Sequence, residues 1–90
     1  MHYVYILFSL LDRQLYTGYS NDLKKRIDKH QRGFVKATKN RRPIKLIYYE
    51  AYLNELDARR REIYLKGGKG KSELKIQLNE IFKEMDYKNL

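Results

Sequence analysis

The sequence predicts an α+β fold: a small, three-stranded and mostly antiparallel sheet flanked by three helices in the order ββαβαα. Ninety residues can bury only one modest core. The chain is 42% apolar and 13% aromatic, which is enough apolar surface to offset the chain entropy lost on folding. Strand-like segments near the N-terminus are followed by segments of helical periodicity. We therefore expect one domain over residues 1–86, with residues 87–90 as a C-terminal tail.

The first two strands are predicted to form a hairpin. Residues 3–9 (Y-V-Y-I-L-F-S) carry β-branched and aromatic side chains on both faces, a pattern typical of a central strand. After a short polar interruption, residues 14–20 (Q-L-Y-T-G-Y-S) again have strand composition. If the hairpin closes over residues 10–13, Tyr5 faces Gly18, and Tyr16 is its diagonal neighbour on the same face.

The first helix and the third strand enclose a basic loop. Ser20 or Asn21 is expected to cap this helix, and Gly33 marks its end. The loop continues to Pro43, which suits the first position of a strand, so residues 44–52 are predicted as the third strand.

Two further helices complete the predicted fold. Asn54 caps a helix that continues to about Lys66, where a glycine-rich segment terminates it and allows a sharp change of direction. From Ser72 onward, apolar residues at helical spacing predict a third helix packed on the core. Its apolar stripe comprises Leu74, Leu78, Ile81, Phe82 and Met85.

Positive charge is concentrated in the first half of the chain. The chain has 20 Lys+Arg against 11 Asp+Glu, a formal net charge of +9. Residues 29–45 contain no acid, which favours a polyanionic partner through counterion release. Nucleic acid is preferred over a solubilising role or an anionic lipid surface. The cations of this segment are Lys29, Arg32, Lys36, Lys39, Arg41, Arg42 and Lys45.

The amino-acid composition excludes several other classes of functional site. The chain has no cysteine, so disulfides, thiolate zinc sites and cysteine nucleophiles are absent, and a cytoplasmic location is expected. Only two histidines are present, too few for a multi-histidine metal site. The longest apolar run, residues 4–11, is about half the length of a membrane span, so no membrane partner is expected.

Tyr5 and Tyr16 are candidates for chemistry on a phosphate. In the predicted register they lie roughly 7 to 8 Å apart at the backbone, so their side chains can meet one ligand. Gly18, opposite Tyr5, leaves room for a bulky group to approach. The alternative is ordinary packing, because tyrosine is favoured in strands and the chain contains nine.

Arg26 and His30 are one helical turn apart, at the edge of the apolar side of the first helix. A guanidinium there can clamp a phosphate, and an imidazole can hydrogen-bond a nucleophile. Alternatively, Arg26 pairs with Asp22 on the surface and His30 only packs.

Glu62 shares one side of the second helix with Ala58 and Leu65, which indicates inward placement and Mg²⁺ ligation. The alternative is a surface ion pair with Lys66. A second apolar stripe on the opposite side of the helix leaves its orientation open.

Together these residues resemble the GIY-YIG nuclease superfamily, in particular its small single-domain, UPF0213-like members. Residues 3–5 correspond to the first tripeptide of the family and residues 16–18 to the second, with ten residues between them. Arg26, His30 and Glu62 follow in the family's order, so the likeness covers nearly the whole chain.

The resemblance implies a metal-dependent DNA endonuclease with one Mg²⁺ or Mn²⁺ ion. It implies that Tyr5 is the general base for water, activated by nearby positive charge, and that Tyr16 assists in the proton and phosphate network. Arg26 would stabilise the pentacovalent phosphate, and His30 would orient or relay. Glu62 would ligate the metal. The expected nucleic-acid contacts are Gly18, Lys29, Arg32, Lys36, Lys39, Arg41 and Arg42.

The sequence departs from the family pattern at three positions: Tyr3 replaces glycine, Val4 replaces isoleucine, and Thr17 replaces isoleucine. We expect no counterpart of the extra recognition domain that larger relatives carry. We therefore expect low sequence specificity, with the target chosen by DNA structure or by a protein partner. A role in DNA repair or recombination is expected, with RNA left open as a substrate and a monomer as the default state. The alternative function is a non-catalytic nucleic-acid-binding module on the same scaffold.

Overall fold

The structure, a computed structural model, describes residues 1–85. It contains a three-stranded antiparallel sheet in the order β2-β1-β3, which confirms the predicted α+β class. Within these residues, four α-helices flank the sheet instead of the three predicted. The elements are β1 (His2–Ser9), β2 (Leu15–Ser20), α1 (Leu23–Gln31), a one-turn 3-10 helix (Lys39–Arg41), β3 (Ile44–Tyr52), α2 (Glu55–Lys66), α3 (Gly68–Gln77) and α4 (Asn79–Glu84).

The hairpin of β1 and β2 has the predicted register. Tyr5 pairs with Gly18 and Leu7 pairs with Tyr16. β1 is the central strand, and residues 4–9 are all buried, as expected for a strand covered on both faces. Tyr5, Leu7 and Tyr16 therefore point to the same side of the sheet.

β3 contains a bulge that the sequence pattern does not reveal. Ile6 of β1 pairs with Tyr48, but Leu7 pairs with Leu46, so one residue of β3 is extra. Because of this bulge, Leu46 and Tyr49 lie on the Tyr5 side of the sheet, while Ile47 and Tyr48 both pack against the opposite core.

Helices cover both faces of the sheet. On the Tyr5 face, Leu23 and Ile27 of α1 pack against a small cluster formed by Tyr5, Leu7 and Ile44. The larger core lies on the opposite face, beneath α2 and α3. Its buried members are Val4, Ile6, Ala58, Leu65 and Leu74.

The start of α1 differs from the expectation. Asp22, and neither Ser20 nor Asn21, is the N-cap, because its carboxylate accepts a hydrogen bond from the backbone N–H of Lys25. The end is as predicted: Gly33 follows the helix with a φ of 81°, a left-handed conformation that favours glycine.

The predicted third helix is two shorter helices. α3 begins at Gly68, so the glycine-rich segment is partly helical instead of only terminating α2. Gly70 permits this because a side chain there would overlap the backbone at Tyr64. Leu78 leaves helical geometry (φ −107°, ψ 26°) and separates α3 from α4, and Phe82 of α4 is buried. Leu74 and Phe82 both belong to the core, as the apolar stripe predicts.

The predicted domain boundary at residue 86 and the tail at 87–90 lie outside the described residues. Within residues 1–85, none of the helices combines the length and the hydrophobicity that a bilayer crossing requires.

Candidate active site

Tyr5 lies at the centre of a cluster formed by β1, β2 and α1. Its side chain is fully buried, and its hydroxyl lies 2.7 Å from Nε2 of His30. Nε of Arg26 donates to the same oxygen over 3.4 Å. Arg26 and His30 reach Tyr5 together because they are one turn apart on α1. The alternative of a surface Arg26–Asp22 ion pair is not found among the ion pairs of residues 1–85.

His30 is held by a residue that the sequence analysis did not identify. Its Nδ1 lies 2.7 Å from Oγ1 of Thr38, and both side chains are fully buried. Thr38 lies in the basic loop, just before the 3-10 helix. A neutral imidazole donates through one nitrogen and accepts through the other, so Tyr5, His30 and Thr38 form a continuous hydrogen-bonded chain. A threonine in a loop carries no periodic signal, and its contact with His30 depends on the tertiary fold.

Tyr16 forms the wall of the cluster on the β2 side. Its ring centre lies 6.4 Å from that of Tyr5 and 5.2 Å from that of His30. Gly18 has a different role from the one predicted. The space above it is filled by the ring of Tyr5, and a side chain at this position would overlap the phenol. Gly18 therefore makes room for the Tyr5 ring, and its contact with nucleic acid stays a prediction.

The electrostatics of Tyr5 differ from the expected acidification by nearby cations. Burial raises the pKa of its phenol above the ordinary value, and this effect outweighs the opposing hydrogen bond from Arg26. The negative charges of Tyr16, when ionised, and Glu62 raise this pKa further. Tyr5 is therefore a neutral phenol at pH 7, and a proton leaving it needs an acceptor.

His30 is a neutral imidazole in this environment. Burial, followed by the positive charge of Arg26, lowers the pKa of His30 to about 4. Its partners also fix the ring, because each nitrogen has one hydrogen-bonding neighbour. Nε2 is thus available to accept the Tyr5 proton when Nδ1 donates to Thr38.

Glu62 faces inward and is also paired with a lysine. Ala58 and Leu65, on its side of α2, are fully buried, which resolves the orientation of this helix. The Glu62 side chain is 14% exposed; its carboxylate lies 3.1 Å from the ammonium of Lys66 and 3.9 Å from Arg59. Both interpretations of Glu62 from the sequence therefore apply to its position. The side chain is sheltered from solvent, and it forms the ion pair with Lys66.

The side chains of this site can bind a divalent cation such as Mg²⁺ only if phosphate oxygens of the substrate and water supply further ligands. Within residues 1–85 there is no group of three or more acidic or histidine side chains around one point. Mg²⁺ is commonly bound by one or two carboxylates together with phosphate oxygens and water. The sheltered Glu62 carboxylate, whose charge acts on the Tyr5 phenol, fits this arrangement as a single protein ligand.

Two of the predicted nucleic-acid contacts are engaged within the protein. Arg41 forms an ion pair of 2.6 Å with Asp12 and also donates to the carbonyl of Leu15. Arg42 donates to the carbonyls of Lys39 and Gln31. These arginines fasten the basic loop to the hairpin and to α1, and their role in nucleic-acid binding stays a prediction.

The remaining predicted cations, in the last turn of α1 and in the loop, are directed to solvent. Lys29, Lys36 and Lys39 are exposed and form none of the ion pairs found in residues 1–85. Arg32 is also exposed, with its guanidinium 5.2 Å from the ring centre of Phe34 and 3.5 Å from Asp28.

Comparison with known proteins assigns the class that this fold and site define. The model of the GIY-YIG catalytic domain matches residues 1–75, which include every member of the cluster. The chain belongs to the GIY-YIG family.

Within this class the chain is similar to UPF0213 proteins. One from Clostridium perfringens is 41% identical over 88 residues, covering 97% of this chain and 94% of that protein. One from Staphylococcus saprophyticus is 42% identical over 76 residues, covering 83% and 92%. The solution NMR structure of a UPF0213 protein from Bacillus halodurans has a TM-score of 0.53 and 38% identity, covering 86% of this chain and 83% of that one.

Proposed function

We propose that this protein is a divalent-metal-dependent endonuclease that hydrolyses phosphodiester bonds in DNA with low intrinsic sequence specificity. The observation that carries the proposal is the position of the Tyr5 hydroxyl, which contacts a neutral imidazole and a guanidinium at once. A proton acceptor and a phosphate-binding cation beside one phenol are the parts that this hydrolysis needs.

The proton leaves water through Tyr5. The water gives a proton to the Tyr5 oxygen while the phenolic proton moves to Nε2 of His30, which leaves Tyr5 neutral and forms an imidazolium. The resulting hydroxide attacks phosphorus, the bond from phosphorus to the leaving deoxyribose oxygen breaks, and that oxygen takes a proton from solvent. The imidazolium then returns its proton to solvent, which restores the neutral His30. Arg26 stabilises the charge on the phosphate oxygens, and Tyr16 closes the site beside it.

Substrate binding makes His30 a better base. In the free protein, the charge of Arg26 helps to lower the pKa of the imidazole. A bound phosphate offsets that positive charge, so the imidazolium becomes less unfavourable when the substrate is in place. The proton transfer is thereby coupled to the presence of a phosphate.

Glu62 supplies the protein ligand for the metal. GIY-YIG nucleases generally use a divalent metal, and Mg²⁺ or Mn²⁺ held by Glu62 would supply positive charge to offset that of the phosphate and the leaving oxygen. Lys66 is paired with Glu62 in this structure and would be free to contact a phosphate if Glu62 held the metal.

The exposed lysines of the basic loop contact the nucleic-acid backbone. They bind without reading sequence, so DNA structure or a protein partner selects the target. We place the enzyme in DNA repair or recombination in the cytoplasm, acting as a monomer.

A plasmid-nicking assay tests the proposal. Purified protein is incubated with supercoiled plasmid and Mg²⁺ or Mn²⁺. Tyr5→Phe and Glu62→Ala are each expected to lose nicking by about 100-fold or more, because each removes a part of the proton or charge machinery. Tyr64→Phe and Glu73→Ala, which change a hydrogen-bonded pair on α2 and α3, serve as matched controls and are expected to keep wild-type activity.

The outcomes separate enzyme from binding module. Nicking that persists at the wild-type level in Tyr5→Phe and Glu62→Ala would identify a contaminating nuclease. A protein that binds DNA but never nicks it would support the non-catalytic alternative.

A further inference from the structure

A groove between α1 and β3 lies on the same face of the sheet as Tyr5, across α1 from Arg26. Its volume is about 660 Å³, which is within the range of ligand sites. Two tyrosines and three aliphatic side chains provide its apolar lining: Tyr3, Tyr49, Leu23, Ile27 and Leu46.

The two tyrosines are arranged as an accessible aromatic pair. Their ring centres lie 6.0 Å apart at an interplanar angle of 65°, and Tyr49 is 52% exposed. Tyr49 is the direct cross-strand partner of Tyr5, and Tyr3 is two residues before Tyr5 on the same face. The pair is therefore continuous with the candidate active site, and the half-exposed Tyr49 ring is accessible to a planar ligand.

The charge around this groove differs from that of the groove on the other edge of α1. That second groove, about 300 Å³, contains three cations, Lys25, Arg26 and Lys29, with one acid, Asp22. The tyrosine groove contains Lys24 with two acids, Asp22 and Asp28. A phosphate is thus favoured on the Arg26 edge, whereas the tyrosine groove suits an uncharged group.

The two grooves meet at Asn21 and Asp22, which line both. A helix is about 10 Å in diameter, so away from these two residues the grooves are separated by the width of α1. A strand whose backbone lies along Arg26 can place a nearby base on the far side of the α1 N-terminus only if that base is unpaired.

We propose that the tyrosine groove binds an unpaired nucleobase of the substrate strand, stacked against Tyr3 and Tyr49, while the backbone of that strand occupies the Arg26 groove. This inference rests on the proposed function, since it names the part of a nucleic-acid substrate that the second groove takes. It assigns a role to Tyr3, at a position where the family pattern has glycine. The ligand chemistry is that of a base, which DNA and RNA share.

Equilibrium binding of two oligomers tests the inference, without metal so that no cleavage occurs. One is a single-stranded thymidine oligomer, and the other has the same length and charge but carries abasic sites throughout. The wild type is expected to bind the thymidine oligomer about tenfold more tightly, the effect of about one stacked base. Tyr49→Ala and Tyr3→Ala/Tyr49→Ala are expected to reduce this preference to about twofold or less without weakening abasic binding.

Control variants and a second ligand sharpen the result. Tyr3→Phe/Tyr49→Phe keeps both rings and should keep the preference, as should Tyr64→Ala on α2. Circular dichroism verifies folding, and Tyr49→Ala alone suffices if the double variant unfolds, because this side chain is half exposed. A uridine oligomer, compared with an abasic oligoribonucleotide, shows whether an RNA base is bound equally.

The binding results distinguish a failure of this inference from a failure of the proposed function. Equal wild-type affinity for the thymidine and abasic oligomers, or an unchanged preference in the alanine variants, overturns the inference and leaves the proposed function intact. Failure to bind either oligomer, or any duplex, would contradict the proposed function as well.

Discussion

At the scale of single residues, the chemistry depends on polar groups that the fold removes from water. His30 and Thr38 are fully buried, and each is hydrogen-bonded, so neither leaves an unsatisfied polar atom. Burial keeps Tyr5 protonated and His30 neutral. Of Tyr5, His30 and Arg26, Arg26 therefore carries the positive charge in the substrate-free site. This charge is available to bind a phosphate.

Neutral His30 makes stability depend on pH. In the unfolded chain its pKa is near 6.5 and in the folded protein about 4, so between these values the unfolded state binds more protons. The contribution of His30 to the free energy of unfolding is fully present above about pH 6.5 and is lost as the pH falls to about 4. The contribution of this group is about 3 kcal/mol.

Urea unfolding across this pH range measures the effect. His30→Gln retains hydrogen-bonding atoms but does not titrate, so we expect it to lose this part of the pH dependence. His2→Gln, at the other histidine, controls for the substitution. Identical slopes for the wild type and His30→Gln would show that His30 is not held neutral by the fold.

At the scale of elements, the rotation of α2 is fixed by a polar network on β3. The Glu50 carboxylate accepts two hydrogen bonds from Arg61, at 2.9 and 3.1 Å, and one each from Tyr48 and Tyr52, both 2.6 Å. Although burial opposes it, these bonds lower the pKa of Glu50 below its ordinary value. Arg61 immediately precedes Glu62, so this pairing also sets the direction in which α2 presents its candidate metal ligand.

Glu50→Gln is expected to destabilise the protein by about 2 kcal/mol, because it removes the charge from a largely covered set of hydrogen bonds. Glu55→Gln, which breaks only the exposed pair with Arg59, is the matched control and should cost less than about 0.5 kcal/mol. Thermal or urea unfolding compares the two. Equal effects would mean that the Glu50 network adds nothing beyond a surface ion pair.

The elements also show what a sequence can and cannot predict. The hairpin register follows from alternation and from a polar gap of fixed length, so the common face of Tyr5 and Tyr16 was predictable. The bulge in β3 was not, because nothing in the pattern marks Ile47 and Tyr48 as sharing a face. Ser20, Asn21 and Asp22 are all good capping residues, and only the backbone path selects Asp22. The partners of Arg41 and Thr38 are distant in the chain, so no local signal reveals them.

At the scale of the whole molecule, the cations of the first half of the chain divide into those that hold the fold and those that are exposed to solvent. Most of the net charge of +9 comes from the first half of the chain, where residues 1–45 have 11 Lys+Arg and 3 acids, a net +8. The structure divides these cations further, because Arg41 and Arg42 brace the loop while Lys29, Lys36 and Lys39 extend into solvent. We therefore expect the phosphate contacts of the proposed function to come mainly from these three exposed lysines.

Salt dependence of DNA binding measures these contacts. Each phosphate contact contributes about 0.9 to the slope of log K against log salt for duplex DNA. Replacing Lys29, Lys36 and Lys39 together by alanine is expected to reduce the magnitude of the slope by about 2 to 3. The same charge change at Lys69, Lys75 and Lys83, on α3 and α4, is the control and should alter the slope by less than about 1. Equal reductions would indicate diffuse binding.

The central claim is that Tyr5 and His30 act as one proton-transfer unit, and single-turnover cleavage by Tyr5→Phe, His30→Gln and the double variant tests it most directly. Residues that act as a unit have non-additive effects. We expect each single variant to be slower by about 100-fold or more and the double variant to be no slower than the worse single one. A double variant whose loss of cleavage rate equals the product of the two single losses would contradict the account, as would a wild-type cleavage rate in Tyr5→Phe.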